Sequence, residues 1–422
     1  MHTLEQLRRG ELAGIKRLDL TCELREFPTE IFDLADSLEV LNLSGNQLSR
    51  LPADLPRLHR LKVLFCSDNL FTDVPDVLGD CAQLEMVGFK ANQIRHVPAA
   101  ALPAQLRWLI LSDNQVSELP NELSQRPRLQ KLMLAGNRLE ALPKSLGACA
   151  NLQLLRIAAN RFERLPDWLL ELPQLAWLAY AGNPVSDVAE REVLASHPMA
   201  AIAPEQIQLG EVLGQGASGI IHAAQWKNRS MAAKLFRGEV TSDGLPHSEM
   251  AACIAAGNHP HLIGVAGPLQ STPPGLLLER ISADYHVLAG PPSLASCTRD
   301  VYAQGRRFAL EEALAIARAV ASAVAHLHSN GILHGDLYGH NLLVNGAGHC
   351  LLGDFGAASF FDPASAQGQA LQRIEARAFG CLLEELLERC DEVPERLWQV
   401  QRACVAPTVS DRPDFNAIVS AL

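Results

Sequence analysis

The 422-residue sequence predicts two domains, a solenoid built from stacked repeats and then a non-repeating domain with a core of its own. Three observations predict this. The chain is longer than one hydrophobic core usually serves, an asparagine recurs at nearly constant spacing through the first half, and beyond residue 183 that period gives way to a glycine turn between apolar runs.

The repeat is read by aligning LEVLNLSGNQLSRLP, LKVLFCSDNLFTDVP, LEMVGFKANQIRHVP, LRWLILSDNQVSELP, LQKLMLAGNRLEALP, LQLLRIAANRFERLP and LAWLAYAGNP. Asn46, Asn69, Asn92, Asn114, Asn137, Asn160 and Asn183 fall in register, with gaps of 23, 23, 22, 23, 23 and 23 residues. Leu, Val and Ile at fixed offsets point into a core that no single repeat could close, and an Asn at each turn can bond the backbone of adjacent coils. These segments resemble the leucine-rich-repeat family and its L-x-x-L-x-L-x-x-N-x-L signature, the last only as far as its Asn. LDLTCELREFP reads as a shortened first repeat behind a capping helix near Leu4 to Arg9, and residues 185–203 are expected to close the other end.

Between the buried leucines, one column of concave-facing residues is Val40, Val63, Met86, Trp108, Lys131, Leu154 and Trp177. The adjacent column is Asn42, Phe65, Gly88, Ile110, Met133, Arg156 and Ala179. So apolar a face is expected to be covered by a protein partner or by the second domain of the same chain.

In the second domain, IQLGEVLGQGASGIIHAAQW reads as two strands joined by the turn Gly214-x-Gly216-x-x-Gly219. That spacing alone is weak, because dinucleotide-binding folds share it. There a helix follows, whereas here Ile220 and Ile221 continue as a strand, and another strand from Met231 to Phe236 carries Lys234. Glu249 then falls in a helix, LLLERI follows, then HGDLYGHN and GDFG, and finally FGCLLEELL and SDRPDFNAIVSAL. Apolar residues at Leu310, Leu314, Ala317, Val320, Val324 and Leu327 predict a helix ahead of the HGD loop.

In order and spacing these segments, from Ile207 to Leu422, resemble the protein kinase family. The fold class is therefore an α/β leucine-rich-repeat solenoid plus an α+β bilobal protein-kinase-like domain. The division is 1–183 for the repeats with their N-terminal cap, 184–206 for a C-terminal cap and linker, and 207–422 for the kinase domain. The resemblance implies an ATP-dependent transferase acting on a protein hydroxyl, serine or threonine by base rate, with ATP and Mg2+ as cofactors. Gly214, Gly216 and Gly219 would approach the phosphates and Lys234, steadied by Glu249, would hold them, while Glu279 and Ile281 would supply the hinge backbone beside the adenine. Asp336 would orient the hydroxyl and accept its proton, and Asn341 and Asp354 would ligate magnesium.

The sequence departs from the family pattern in several places. The usual H-R-D reads His334-Gly335-Asp336, Tyr338 stands where a Lys usually meets the transferred phosphate, and 18 residues between Gly356 and Glu375 leave no room for an A-P-E motif. Glu375 takes the place of a structural Asp, and Arg412 is left without its usual partner. The HGD loop also resembles aminoglycoside and choline kinases, and a nucleotide-binding pseudokinase scaffold is a further alternative. His328, His334 and His340 lie six apart, but His334 belongs to the loop motif and no cysteine or carboxylate completes a metal cage.

Composition narrows the setting. A hydrophobic fraction of 48% and a charged fraction of 20% are ordinary for a globular protein, and no apolar run approaches the ~18 residues of a membrane helix. MHTLEQLRRGEL has no signal-peptide core, and ten cysteines without a Cys-x-x-Cys pair fit reduced thiols, so a cytoplasmic protein with no membrane span is expected. A net charge of -11 argues against nucleic acid as a partner.

Overall fold

A computed structural model describes residues 2–196, 199–216, 218–237, 240–241 and 243–422. The chain forms two compact units, one of residues up to Leu155 with Asn160–Leu172, the other of Arg156–Ala159 with Pro173–Leu422.

The first unit opens with helix α1 (Leu4–Arg8), whose cap Thr3 and Gln6 bond each other's backbone N–H groups. Seven three-residue strands follow, β1 (Arg17–Asp19), β2 (Val40–Asn42), β3 (Val63–Phe65), β4 (Met86–Gly88), β5 (Trp108–Ile110), β6 (Lys131–Met133) and β7 (Leu154–Arg156), the last of which passes into the second unit at Arg156, and neighbours from β1 to β6 pair parallel in chain order. Each coil then returns through a short 3-10 turn, several of them entered from an extended proline such as Pro75, Pro98, Pro120 or Pro166. The central residue of each strand, leucine in all but β4 where it is Val87, is buried, as at Leu41, Leu64, Leu109 and Leu132.

The asparagine ladder satisfies the backbone between coils. Asn114 accepts from Ile94 N–H at 2.9 Å through Oδ1, and its Nδ2 donates to the carbonyls of Phe89 at 2.9 Å and Leu111 at 3.0 Å. Just before each ladder asparagine the chain is left-handed, at Gly45, Asp68, Ala91, Asp113, Gly136, Ala159 and Gly182. Gly and Asp suit that conformation, while the two alanines adopt it because the coils on either side fix the turn.

The second unit contains β8 (Trp177–Ala179), α2 (Pro184–Ser196) and an antiparallel sheet of β9 (Ile207–Gln215), β10 (Gly219–Trp226), β11 (Arg229–Phe236), β12 (Val265–Leu269) and β13 (Gly275–Glu279) in the order β12-β13-β11-β10-β9. Helix α3 (Pro246–Ala256) packs on this sheet, with Ile254 meeting Phe236 and Leu276. After β14 (His286–Val287), helix α4 (Leu310–Ser329) buries the stripe that the sequence spacing predicts, including Leu314, Ala317, Val320, Val324 and Leu327. Short strands β15 (Ile332–Leu333), β16 (Leu342–Val344), β17 (Cys350–Leu352) and β18 (Ser359–Phe360) frame the loops that follow, and α5 (Ala366–Leu387), α6 (Glu395–Cys404) and α7 (Phe415–Ala421) complete the helical half. Among the described residues no helix is long and apolar enough to cross a membrane.

The ladder's contribution is measurable. Asn114→Ala strands the buried Ile94 N–H and is expected to cost the first unit about 2–3 kcal/mol in urea unfolding. A loss within about 0.5 kcal/mol, the scale of a surface change, would show that the ladder does not hold the coils.

Candidate active site

The glycine turn is explained residue by residue. A Cβ on Gly219 would sit 2.4 Å from the Leu235 carbonyl oxygen, so that position must be glycine for β10 to lie on β11. At Gly214 and Gly216 an added Cβ would meet nothing within 4 Å, so packing within the chain does not demand glycine there and the space beside them is open. Gly216 N–H donates across the turn to Gly219 O at 2.9 Å, which fixes its width.

Lys234 stands opposite Ile221 in the β10–β11 pair and reaches Glu249 of α3 in an ion pair, the two side chains 12% and 4% exposed. Burial works against the Lys234 charge, but Glu249 and Asp354 outweigh it and hold the ammonium more firmly protonated than usual. Glu249 is pushed up by burial, with Lys234 opposing and Asp354 adding to the rise. The acidic residue of the GDFG segment thus faces both members of the pair. Asp354 itself is left-handed, with φ 55°, and accepts from Gly356 N–H at 3.2 Å.

The loop after β15 is held from below by Glu375 of α5, 1% exposed, which accepts from Gly335 N–H at 2.6 Å, His334 N–H at 3.2 Å and His328 Nε2 at 2.7 Å. Burial would raise this carboxyl, but the His328 bond and the loop's N–H groups keep it below its ordinary value. His334 donates through Nε2 to Gly353 O at 2.9 Å and accepts from Asp336 N–H through Nδ1 at 3.3 Å. So anchored, the loop presents Asp336, whose backbone O and Oδ2 accept from Asn341 Nδ2 at 2.9 and 2.8 Å. Gly353 N–H donates to Asn341 O at 3.0 Å and ties this loop to the segment carrying Asp354.

Arg156 is the residue that sequence reasoning did not assign to the site. It is 1% exposed, and its guanidinium donates through Nε to Asp243 at 2.7 Å, through Nη1 to Gly335 O at 2.9 Å and through Nη2 to Asp336 Oδ1. Burial opposes its charge, while Asp336 and Asp243 more than restore it. Asp336 would be raised by burial but is held below its usual range by Arg156, His340 and His334. Asp243 lies close enough for Asp336 and Asp354 both to raise it. The signal for Arg156 was the single charged residue in its concave column; nothing in the sequence marked Asp243.

Beside Arg156, Trp177 stacks on Tyr338 with centroids 4.4 Å apart and planes at 6°, and Trp177 Nε1 donates to Leu337 O at 3.0 Å. Gly335, with φ +75°, has Ala357 O and Leu178 O within 2.6 and 2.7 Å of where a Cβ would stand. The missing arginine of the H-R-D pattern thus has a steric cause, since β8 occupies its space. Arg412 is buried and donates to the carbonyls of Ala406, Arg373 and Pro173 rather than to a carboxylate.

Lys234, Glu249, Asp354, Asp336 and Asn341 are therefore brought together, with Arg156 and Asp243 added. Glu279 closes β13 opposite Met231, three register positions from Lys234 or about 10 Å along the sheet. Its N–H donates to Gly264 O at 2.8 Å, and Ile281 follows two residues on, half-buried. The three spaced histidines do not converge, because His328 is spent on Glu375, His334 on Gly353 and His340 on Asp300.

A nucleotide-bound divalent cation fits these residues. When all are ionised, Lys234 and Arg156 face Glu249, Asp243, Asp336 and Asp354, an excess of two negative charges. Among the described residues no three His, Cys, Asp or Glu side chains form a cage. That suits an oxygen-seeking ion held by one or two protein groups and by phosphate oxygens.

Comparison with known proteins agrees. Residues 207–378 match the protein kinase domain family and residues 36–95 match leucine-rich repeats. Over 121 residues, 27% of this chain, the sequence is 31% identical to the probable inactive serine/threonine-protein kinase roco10 of Dictyostelium discoideum, of which it covers 4%. It is 29% identical over 174 residues to CBL-interacting protein kinase 22 of Oryza sativa subsp. japonica, covering 37% of each chain. To human serine/threonine-protein kinase TNNI3K it is 26% identical over 160 residues, 37% of this chain and 18% of that protein. The chain spans between 4% and 37% of the length of these relatives.

The Glu375 anchor gives a signed pH dependence. Its carboxyl is depressed in the folded protein, so its contribution is present above the ordinary value near 4.5 and lost as pH falls through the lower folded value. Glu375→Gln is expected to lower stability by about 3 kcal/mol at neutral pH. In urea titrations the gap to wild type should shrink below that value; a gap independent of pH would contradict the assignment.

Proposed function

We propose, from the premise that residues 207–378 are a protein kinase domain and the chain ahead of them carries leucine-rich repeats, that this protein transfers the γ-phosphoryl group of ATP to a serine or threonine hydroxyl of a protein. The observation that carries the reading is the meeting of Lys234, Asp354, Asp336 and Asn341, residues up to 120 positions apart, around one excess of negative charge.

In this reading Gly214 and Gly216 leave room for phosphates beneath the β9–β10 turn, and Gly219 lets the turn lie close on β11 so that the phosphates pass beside its backbone. Lys234, kept charged and aimed by Glu249, binds phosphate oxygens, and the backbone at Glu279 and Ile281 lines the adenine. Asn341 spends its Nδ2 on Asp336, which leaves Oδ1 as its donor to magnesium, and Asp354 is the second ligand. Magnesium, when bound, offsets charge on the transferring group. Asp336 aligns the acceptor hydroxyl and takes its proton; Oδ1 and Oδ2 each accept one bond from the chain, which leaves lone pairs for the substrate. The chemistry asked of the protein is positioning and charge placement.

The repeats would serve recognition. Arg156 and Trp177 are covered by the catalytic loop, whereas Phe65, Trp108, Ile110 and Met133 are half-buried, with Lys131 placed 4.3 Å over the Trp108 ring. Such an aromatic surface edged by a cation suits a protein substrate or partner. Cysteines that are mostly buried within the chain support a reducing, cytoplasmic setting.

The test is incubation of purified protein with γ-labelled ATP and magnesium, alone and with a general protein substrate, an aminoglycoside or choline. Label on protein serine or threonine supports the proposal, label on a small molecule replaces it with small-molecule phosphorylation, and nucleotide binding without transfer replaces it with a scaffold role. Asp336→Asn is expected to lower transfer by about 10³-fold while nucleotide binding persists. Retention of wild-type activity in that variant would remove Asp336 from the reaction.

A further inference from the structure

The catalytic loop is short of positive charge. Neither Gly335 nor Tyr338 carries a cation, and the Tyr338 ring is buried against Trp177 with its hydroxyl lacking any hydrogen-bond partner. Without Arg156, Asp243 would lose its ion pair and Asp336 would be left with His340 and Asn341, while Lys234 is engaged with Glu249 and Asp354. Two partly buried carboxylates short of a partner, their side chains 33% and 18% exposed, are costly and repel an incoming triphosphate.

Arg156 corrects both. Its planar fork reaches three acceptors from different stretches of chain, Asp243 ahead of α3, the Gly335 carbonyl and Asp336 Oδ1. Because the fork is rigid, these three bonds fix the loop's carboxylate relative to the segment leading into the helix that carries Glu249. The neighbouring repeat strand is tied to the same loops, since Trp177 donates to Leu337 O, and Tyr180 bonds Ser359 Oγ through its N–H and Phe360 O through its hydroxyl. The repeat strands of the second unit are thereby part of the wall of the transfer centre.

We propose that Arg156, contributed by a leucine-rich repeat, is a positioning residue for phosphoryl transfer: it fixes the Asp336 carboxylate and adds a permanently charged cation to a loop that holds no Lys or Arg. This rests on the kinase reading above. It also distinguishes the contact from a plug that switches the enzyme off, because a plug and a positioning cation respond to removal with opposite signs.

The experiment uses the full chain and compares wild type with Arg156→Lys, Arg156→Gln and the double variant Arg156→Gln with Asp243→Asn, which removes one of the carboxylates left unpaired. Arg161→Gln, on an exposed repeat arginine, is the control. Folding is checked by thermal unfolding, and nucleotide affinity is read separately from turnover with a fluorescent ATP analogue and magnesium. In the folded variants kcat is expected to fall about 100-fold for Gln and less for Lys, with KM for ATP and the fluorescent-nucleotide affinity within about two-fold of wild type. Methylguanidine added to Arg156→Ala is expected to restore part of the lost rate, which a purely structural role would not allow. Unchanged or increased kcat in a folded variant overturns the proposal, as does a ten-fold loss of nucleotide affinity, which would make Arg156 part of the ATP site instead. If wild type itself phosphorylates no protein, the kinase reading falls and this inference falls with it; if wild type is active and the variants match it, only the inference falls.

Discussion

The structure of the second unit depends on how a knot of buried charge is kept in balance. Four carboxylates lie near one another, from buried Glu249 to exposed Asp354, and an ionised group that is buried without a partner costs several kcal/mol, so the less exposed of them must be answered by a cation or an N–H. Lys234 answers Glu249 and Asp354 from the strand side, Arg156 answers Asp336 and Asp243 from the repeat side, and Asn341 completes Asp336. The remaining negative charge is what suits the site to a divalent cation. Under the proposed function, the residues that would hold metal and nucleotide are among those whose charges the fold must offset.

The scaffold around that knot is apolar and rigid. Glu375 at the base of the loop, the Ile254–Phe236–Leu276 contact beneath Lys234 and the buried stripe of α4 fix the loops from three directions. The repeat ladder serves an analogous end, because its asparagines lock each short strand to its neighbours and leave little freedom in the coils. Strands only three residues long become precise supports when every coil is bonded to the one before it.

Much of this was legible in the sequence, for reasons that differ by residue. The repeats were plain because leucine and asparagine recur by a period set by the coil, and α4 because its apolar residues follow the helical turn. Lys234, Glu249, Asp336, Asn341 and Asp354 stood in an order whose spacing reflects fixed distances along strands and loops. Arg156 and Asp243 were not legible, because their importance arises from a meeting across 87 residues that no local period records. Gly335 was visible as a departure, but its cause, the carbonyl oxygens of Leu178 and Ala357 at the place of a side chain, appears only in three dimensions. Sequence reading found the residues that stand in local motifs and missed the two, Arg156 and Asp243, that meet them from distant parts of the chain.

The most direct measurement is a crystal structure of the full chain with a non-hydrolysable ATP analogue and magnesium. The account predicts the metal on Asn341 Oδ1 and Asp354, Lys234 on the phosphates, and the terminal phosphate facing Asp336 with Arg156 still bonded to that carboxylate. A nucleotide bound away from these residues, or a metal held by another set of side chains, would contradict it.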